Sequence, residues 1–181
     1  MAITLKKFEP NSGQVMPFDC RVDLLNDFLL EEDDKIPNAR HHALELLAET
    51  YLFEDDAAKK TVAYFSLLND KVDRDLSDRT VWNRLSREIP NAKRRRSYPA
   101  VKIGRLAVSK DYEGQSFGRI SLNYIKQTLL ENRISGCRFL TVDALKEAVG
   151  FYQKNGFQML ATPETSDETV LMFFDLKKLK V

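Results

Sequence analysis

Two stretches of this 181-residue chain hold residue types at a spacing that can do chemistry. The first, YEGQSFGRIS (residues 112–121), joins a strand-like run to a helix-like run and carries two glycines four apart. A helix that opens over Gly114, Gln115, Ser116, Phe117, Gly118 and Arg119 offers free backbone N–H groups and the positive end of its dipole, a combination suited to a pyrophosphate. A P-loop would require Lys and Ser/Thr after the second glycine, and here Arg119 and Ile120 follow. A dinucleotide fingerprint fails on the glycine spacing, although Asp143 is available at the end of the next strand. A Gly-x-x-x-Gly turn is also an ordinary way to open a helix, so the stretch needs a companion.

The companion is AVGFYQKNGF (residues 148–157), which puts Phe151 and Tyr152 on a helix closed by Asn155–Gly156. The Tyr152 phenol, with an ordinary pKa near ~10, can donate a proton; the ring can equally serve as packing. Other reactive types are sparse. His41 and His42 are adjacent, so they point in different directions and read as a surface pair; no metal site is visible. Cys20 and Cys137 make neither a disulfide framework nor a metal-ligand spacing.

The elements that must position these residues follow from periodicity. ITLKKF reads as a first strand. RVDLLNDFLLEEDD is an amphipathic helix with Val22, Leu25, Phe28 and Leu29 on one stripe. HHALELLAETYLF begins as a helix and ends as a strand, EDDAAKK is a turn, and TVAYFSLLND is the strand that completes a hairpin. TVWNRLSREI is a short helix ended by Pro90, and a basic loop follows. AVKIGRLAV is nearly continuously apolar, as a strand buried mid-sheet should be. From Ser116, the residues Phe117, Ile120, Tyr124, Ile125 and Leu129 recur at helical spacing. CRFLTVDA (strand), KEAVGFYQK (helix), GFQMLA and TVLMFFDL (strands) complete a mixed α/β fold around a central sheet, expected as a single domain over residues 1–181.

Composition sets the class. Hydrophobic residues make up 43% and charged residues 30%, with a net charge of +1. No apolar run reaches membrane-spanning length and the start lacks a signal-peptide pattern, so a reduced, cytoplasmic protein with no membrane contact is expected. Residues 1–80 hold 10 Lys/Arg against 17 Asp/Glu, a net of −7, and residues 81–181 hold 18 against 10, a net of +8. The basic half would suit a negatively charged partner; differing solvated faces would give the same numbers.

RLAVSKDYEGQSFG, then a helix, a strand and AVGFYQKNGF, resembles the GNAT family of acetyl-CoA-dependent N-acetyltransferases over most of residues 100–160. The resemblance implies a mostly antiparallel mixed sheet with splayed middle strands flanked by helices, and acetyl-CoA as acetyl donor. It implies that Leu106, Ala107 and Val108 lie along the pantetheine arm, that Gly114–Arg119 take the pyrophosphate, and that Tyr152 lies near the thioester sulfur. Three positions depart from the family pattern: Glu113 replaces Arg or Gln, Ser116 replaces Gly, and Leu145 stands where many members have Asn. A carboxylate beside a pyrophosphate is unfavourable, so Glu113 is read as no ligand.

In the implied reaction an amine attacks the thioester, amides near Leu106–Val108 stabilise the tetrahedral oxyanion, and Tyr152 protonates the leaving thiolate. VKIGRLAV offers no glutamate as base; Asp143, Tyr98 and a water chain are the alternatives, and the base stays unassigned. The acceptor is a primary amine of a small molecule or protein. FDCRVDLLNDFL resembles the opening segment of the toxin-like GNAT branch, which acetylates aminoacyl-tRNA and usually has glycine at the position of Arg21. That alternative would use the basic Lys93–Arg96 loop for tRNA. A non-catalytic module binding CoA or RNA is a third reading, and an oligomer is compatible with the sequence.

Overall fold

The computed structural model describes residues 3–11, 15–31, 33, 36–90, 95–132 and 135–179. Seven strands form one sheet: β1 (Ile3–Lys7), β2 (Glu49–Asp55), β3 (Lys60–Asp73), β4 (Ser97–Val108), β5 (Phe139–Leu145), β6 (Gln158–Met159) and β7 (Thr169–Asp175), in the order β1-β2-β3-β4-β5-β7-β6. The pairs β1–β2, β2–β3, β5–β7 and β6–β7 are antiparallel. Among the described residues five α-helices flank the sheet: α1 (Asp23–Leu30), α2 (Ala39–Leu44), α3 (Arg79–Glu88), α4 (Phe117–Glu131) and α5 (Val149–Lys154). This is the mixed α/β architecture expected. The chain forms two compact units, Met1–Leu68 with Ile103–Ile125, and Asn69–Lys102 with Lys126–Val181.

In the first unit the β2–β3 hairpin pairs Leu52 with Tyr64 and Tyr51 with Phe65. Successive strand residues point to opposite faces, so the hairpin offers two apolar surfaces. On one face Phe28 and Leu29 of α1 pack with Leu52, Tyr64, Phe18 and Ala107. On the other, Phe117 and Tyr124 of α4 lie 6.4 Å by ring centroid from Phe53, and Tyr124 lies 6.1 Å from Phe65. The helical stripes are narrower than the periodicity suggested. Val22 caps α1 and is exposed, because the chain reverses at Arg21, where φ is +65°. In α4 the buried residues are Phe117, Ser121, Leu122, Ile125 and Lys126, whereas Ile120 is exposed.

In the second unit Trp82 and Leu85 of α3 pack against Val72, Tyr98, Phe139 and Phe173. β7 pairs with β5 from Phe139↔Asp175 to Leu145↔Thr169, and on its other side with the two-residue β6. Arg138 clamps buried Asp175 through two bonds, Nε–Oδ1 at 2.7 Å and Nη2–Oδ2 at 2.8 Å. Helix α5 ends at Gly156, whose φ of +86° favours glycine and whose added Cβ would meet the Phe174 ring at 2.9 Å. Buried Lys126 donates to the Asn155 carbonyl at 2.6 Å, with its ammonium 3.8 Å from the Phe174 ring centre.

Candidate active site

The glycine turn of the first unit follows four consecutive residues, Lys110–Glu113, whose side chains are each paired. Ser109 N–H donates to Val62 O at 2.8 Å, ending β4. Lys110 then reaches Asp19 through its Nζ at 2.6 Å, Asp111 pairs with Lys60 at 2.5 Å, and Arg21 grips Glu113 at 2.8 Å. Between them, buried Tyr112 donates its hydroxyl to Asp55 Oδ2 at 3.1 Å. Asp55 Oδ1 takes the amides of Ala57 and Ala58, so its carboxyl lies below its ordinary range, chiefly through the Ala58 amide. The Lys110 hydrogen bond, then the Arg21 amide, lower the Asp19 carboxyl to about 2.

From this anchored platform the chain turns twice through the left-handed region, at Gly114 (φ +74°) and Ser116 (φ +65°). Ser116 stands where the resembled family pattern has glycine, and Arg21 where its toxin-like branch does; both, at φ +65°, take a conformation that glycine adopts without strain. Ile120 N–H donates to Ser116 O at 2.9 Å, which makes Ser116 the residue that opens α4. The N–H groups of Phe117, Gly118 and Arg119 therefore precede the first intrahelical acceptor. Phe117 is fixed edge-on to Tyr112 with ring centroids 6.0 Å apart. No acid lies in the first turn of α4, and Arg119 is exposed. The result is an amide cradle whose chemistry suits an anion such as a diphosphate. The Glu113 carboxylate is spent on Arg21.

Leu106, Ala107 and Val108 end β4, with Ala107 buried in the core beside α1 and its neighbours half-buried. In the second unit Tyr152 is buried between Phe151 and Phe157, at centroid distances of 5.1 and 5.3 Å. Its carbonyl accepts both Asn155 N–H and Phe157 N–H at 3.0 Å, which fixes the ring's backbone. Its hydroxyl has no hydrogen-bond partner among the described residues, and burial pushes the phenol pKa up.

The other candidates separate clearly. Asp143 pairs with Lys102 at 2.6 Å. Tyr98 is buried, stacked on Trp82 at 5.1 Å, with its hydroxyl 3.4 Å from Ser86 Oγ; it is a core residue. His42 stacks edge-on to Phe28 and bonds Asn38 O through Nδ1 at 2.8 Å, so it packs in the first unit and is no free surface residue. His41 lies beside it. Leu145 is exposed at the end of β5. Of the basic loop, Lys93 and Arg94 lie outside the described residues, while Arg96 O accepts Arg74 N–H at 2.8 Å. Cys20 and Cys137 are free thiols, raised in pKa by burial. Among the described residues there is no group of three or more His, Cys, Asp or Glu able to hold a metal, and no helix long and apolar enough to cross a membrane.

Residues 89–178 match the model of the acetyltransferase (GNAT) domain. This chain carries a GNAT acetyltransferase domain. The match takes in β4, the amide cradle, α4, β5, α5 and β7, and so includes every candidate site residue. The likeness of the solved structures is wider. A mutant form of KacT is 22% identical, covers 99% of this chain and 98% of its own, and has a TM-score of 0.77. AtaT complexed with acetyl-methionyl-tRNAfMet is 21% identical over 99% and 98%, with a TM-score of 0.74. AtaTR bound with AcCoA is 19% identical over 98% and 96%, with a TM-score of 0.69. No curated protein matches the chain. The ties that anchor the GNAT cradle were not foreseen, because Asp19, Arg21, Asp55 and Lys60 lie 51 to 92 residues from their partners.

Proposed function

We propose that the whole chain, as one catalytic domain, transfers an acetyl group from acetyl-CoA to a primary amine. The observation that carries this is the anchored turn Gly114–Ser116 leading into three amides with no intrahelical acceptor, within a GNAT domain match. Phe117, Gly118 and Arg119 give their N–H groups to the pyrophosphate, with Gly114, Gln115 and Ser116 shaping the approach and the Arg119 side chain adding charge. Leu106–Val108 present backbone groups to the pantetheine and, through amides, to the oxyanion that forms when the amine attacks the thioester carbon.

Collapse of that intermediate breaks the carbon–sulfur bond and expels CoA thiolate. Tyr152 is the donor to it. Its partnerless hydroxyl is free for the purpose, and its raised pKa keeps the proton on at every working pH. A phenol above ~10 is a weaker acid than a thiol near ~8.5, so transfer to the thiolate is uphill and is drawn forward as the tyrosinate regains a proton from the water that has taken the amine's. No base is assigned: Asp143 is engaged by Lys102 and Tyr98 is enclosed, so the amine loses its proton to water. The two half-buried thiols suit a reducing compartment, and we place the reaction in the cytoplasm.

A second reading, transfer to the amino group of an aminoacyl-tRNA, is favoured by one observation. The likeness to AtaT spans 99% of this chain, including the first 88 residues that lie outside the domain match. In that reading the Lys93–Arg96 loop meets the RNA backbone. The test is an acetyl-transfer screen over polyamines, amino acids, peptides and charged tRNA, alongside melting curves with acetyl-CoA. Acetyl-CoA should raise the melting temperature with or without a chelator. No shift at millimolar acetyl-CoA, or binding with no turnover of any acceptor, would leave a non-catalytic module.

A further inference from the structure

Among the described residues Lys126 is the one buried lysine or arginine, at 6% exposure, and no carboxylate pairs with it. Its Nζ donates to the Asn155 carbonyl at 2.6 Å and otherwise meets rings, 3.8 Å from the centre of Phe174 and 5.3 Å from that of Phe157. Burial lowers its pKa, the mark of an amine held where its charge is disfavoured. A methionine would fill the same space against both rings without burying a charge. What it could not do is hold a carbonyl in place.

That carbonyl belongs to the C-cap of α5, and every residue in this arrangement lies in the second unit. Helix α5 has six residues and one buried side chain, Tyr152, too little to fix a helix by its own bonds. Its last carbonyls are met locally. Asn155 N–H and Nδ2 reach Phe151 O at 3.2 and 2.8 Å, and Gly156 N–H reaches Gln153 O at 3.0 Å. The Asn155 carbonyl instead takes its bond from α4. A shift of Asn155 passes directly to Tyr152, whose carbonyl accepts the N–H groups of Asn155 and Phe157 and whose ring lies 5.3 Å from that of Phe157. Phe157 in turn rests on Phe174, 5.6 Å away by ring centroid. Since no protein group aims the Tyr152 hydroxyl, its position follows from the placement of the ring alone.

We propose that Lys126 is a positioning residue for the acetyl transfer: its bond to the Asn155 carbonyl sets where the Tyr152 hydroxyl lies as the thiolate leaves. The proposal rests on the reading of Tyr152 as the donor to that thiolate. Lys126 touches neither cofactor nor acceptor and acts through the end of α5. Without it the ring keeps its pocket between Phe151 and Phe157, but α5 loses the bond that fixes its tilt. A misplacement of about 1 Å at a reacting group is enough to lower a rate by one to two orders of magnitude.

The experiment is a double-mutant cycle between Lys126→Met and Tyr152→Phe. CoA thiol release is followed with the acceptor turned over fastest among polyamines, amino acids, peptides and charged tRNA. A lysine that served stability alone would lower kcat equally in both backgrounds. Lys126→Met should instead lower kcat about 5- to 30-fold, with KM for acetyl-CoA within about 2-fold, and by less than about 2-fold once Tyr152 is Phe. Lys126→Arg, which keeps a donor at a different reach, should lose less, and again only with the phenol present; it carries the cycle if Lys126→Met does not fold. A second arm needs no acceptor. 3-Fluorotyrosine in place of Tyr152 alone should give one narrow fluorine resonance, broadened or split by Lys126→Met. An unchanged kcat, an equal loss in both backgrounds, a loss carried by KM, or an unaltered resonance would overturn the proposal. Failure of both lysine variants to fold would make Lys126 a stability residue and overturn it as well. If Tyr152→Phe alone matches wild type, or if no acceptor is turned over, the reading of Tyr152 as donor fails first and takes the proposal with it.

Discussion

Arg21 Nη1 lies 2.8 Å from both carboxylate oxygens of Glu113, joining residues 92 positions apart. The acid that the family pattern does not expect is thus neutralised by an arginine that the toxin-like pattern does not expect. Arg21→Gly should separate the two effects. Stability should change little, because an exposed pair contributes ~0–1 kcal/mol and glycine relieves a similar amount of strain at φ +65°. Acetyl-CoA affinity should fall roughly 2- to 5-fold at low salt, since Glu113 is then an unpaired carboxylate on the cradle's loop. Titration calorimetry should show recovery in the double variant Arg21→Gly with Glu113→Gln, and little difference at high salt.

Gly118→Glu tests the cradle directly. A carboxylate in the first turn of α4 adds repulsion where the pyrophosphate is to bind. Acetyl-CoA affinity should drop by an order of magnitude or more while the melting temperature of the free protein shifts only slightly. Wild-type affinity in this variant would move the phosphate site elsewhere.

Tyr152→Phe should lower kcat on the order of 10²-fold with little change in acetyl-CoA affinity. The pH profile carries a second check. Burial raises the phenol pKa, so the group stays protonated below pH 10 and contributes no alkaline loss of activity there. Wild type and variant should therefore run parallel from pH 7 to pH 9. A wild-type alkaline limb that disappears in the variant would contradict the raised pKa.

The recognisable parts of the fold were those written in local pattern. The β2–β3 hairpin, the apolar β4 and the long α4 all follow from alternation or helical spacing within a dozen residues. The turn that opens α4 and the short helix that carries Tyr152 were legible as motifs for the same reason. What could not be read is set by contacts remote in sequence. Ile120 fits the helical stripe yet faces solvent, because Phe117, Leu122 and Ile125 take the inward positions of α4 instead. His42 read as a surface residue until α2 brought it against Phe28.

Asp19→Asn should expose the platform's dependence on charge. The Asp19 carboxyl titrates at about 2 in the folded chain, below its ordinary 3.8, so its contribution is present above pH 3.8 and lost as pH falls through about 2. Urea melts should find the variant less stable than wild type at pH 7, with the gap closing between pH 4 and pH 2. A gap that persists at pH 2 would mean that Lys110 and the Arg21 amide do not depend on the ionised form.

Strand β7 lies between β5 and β6, both of which precede it in sequence. A ribosome delivers residues in order, at roughly 5–20 per second. Until residues 169–175 are made, one edge of β5 is open and Gln158–Met159 have no ladder partner. Open edges recruit foreign strands, so each nascent chain passes through an interval in which it can pair with its neighbours on a polysome. The interval closes when Asp175 reaches Arg138, a bond that only a chain translated that far can make. Messages truncated before codon 169 should therefore yield aggregates rather than a weakened enzyme, and slow codons just upstream of that point should lower the soluble yield.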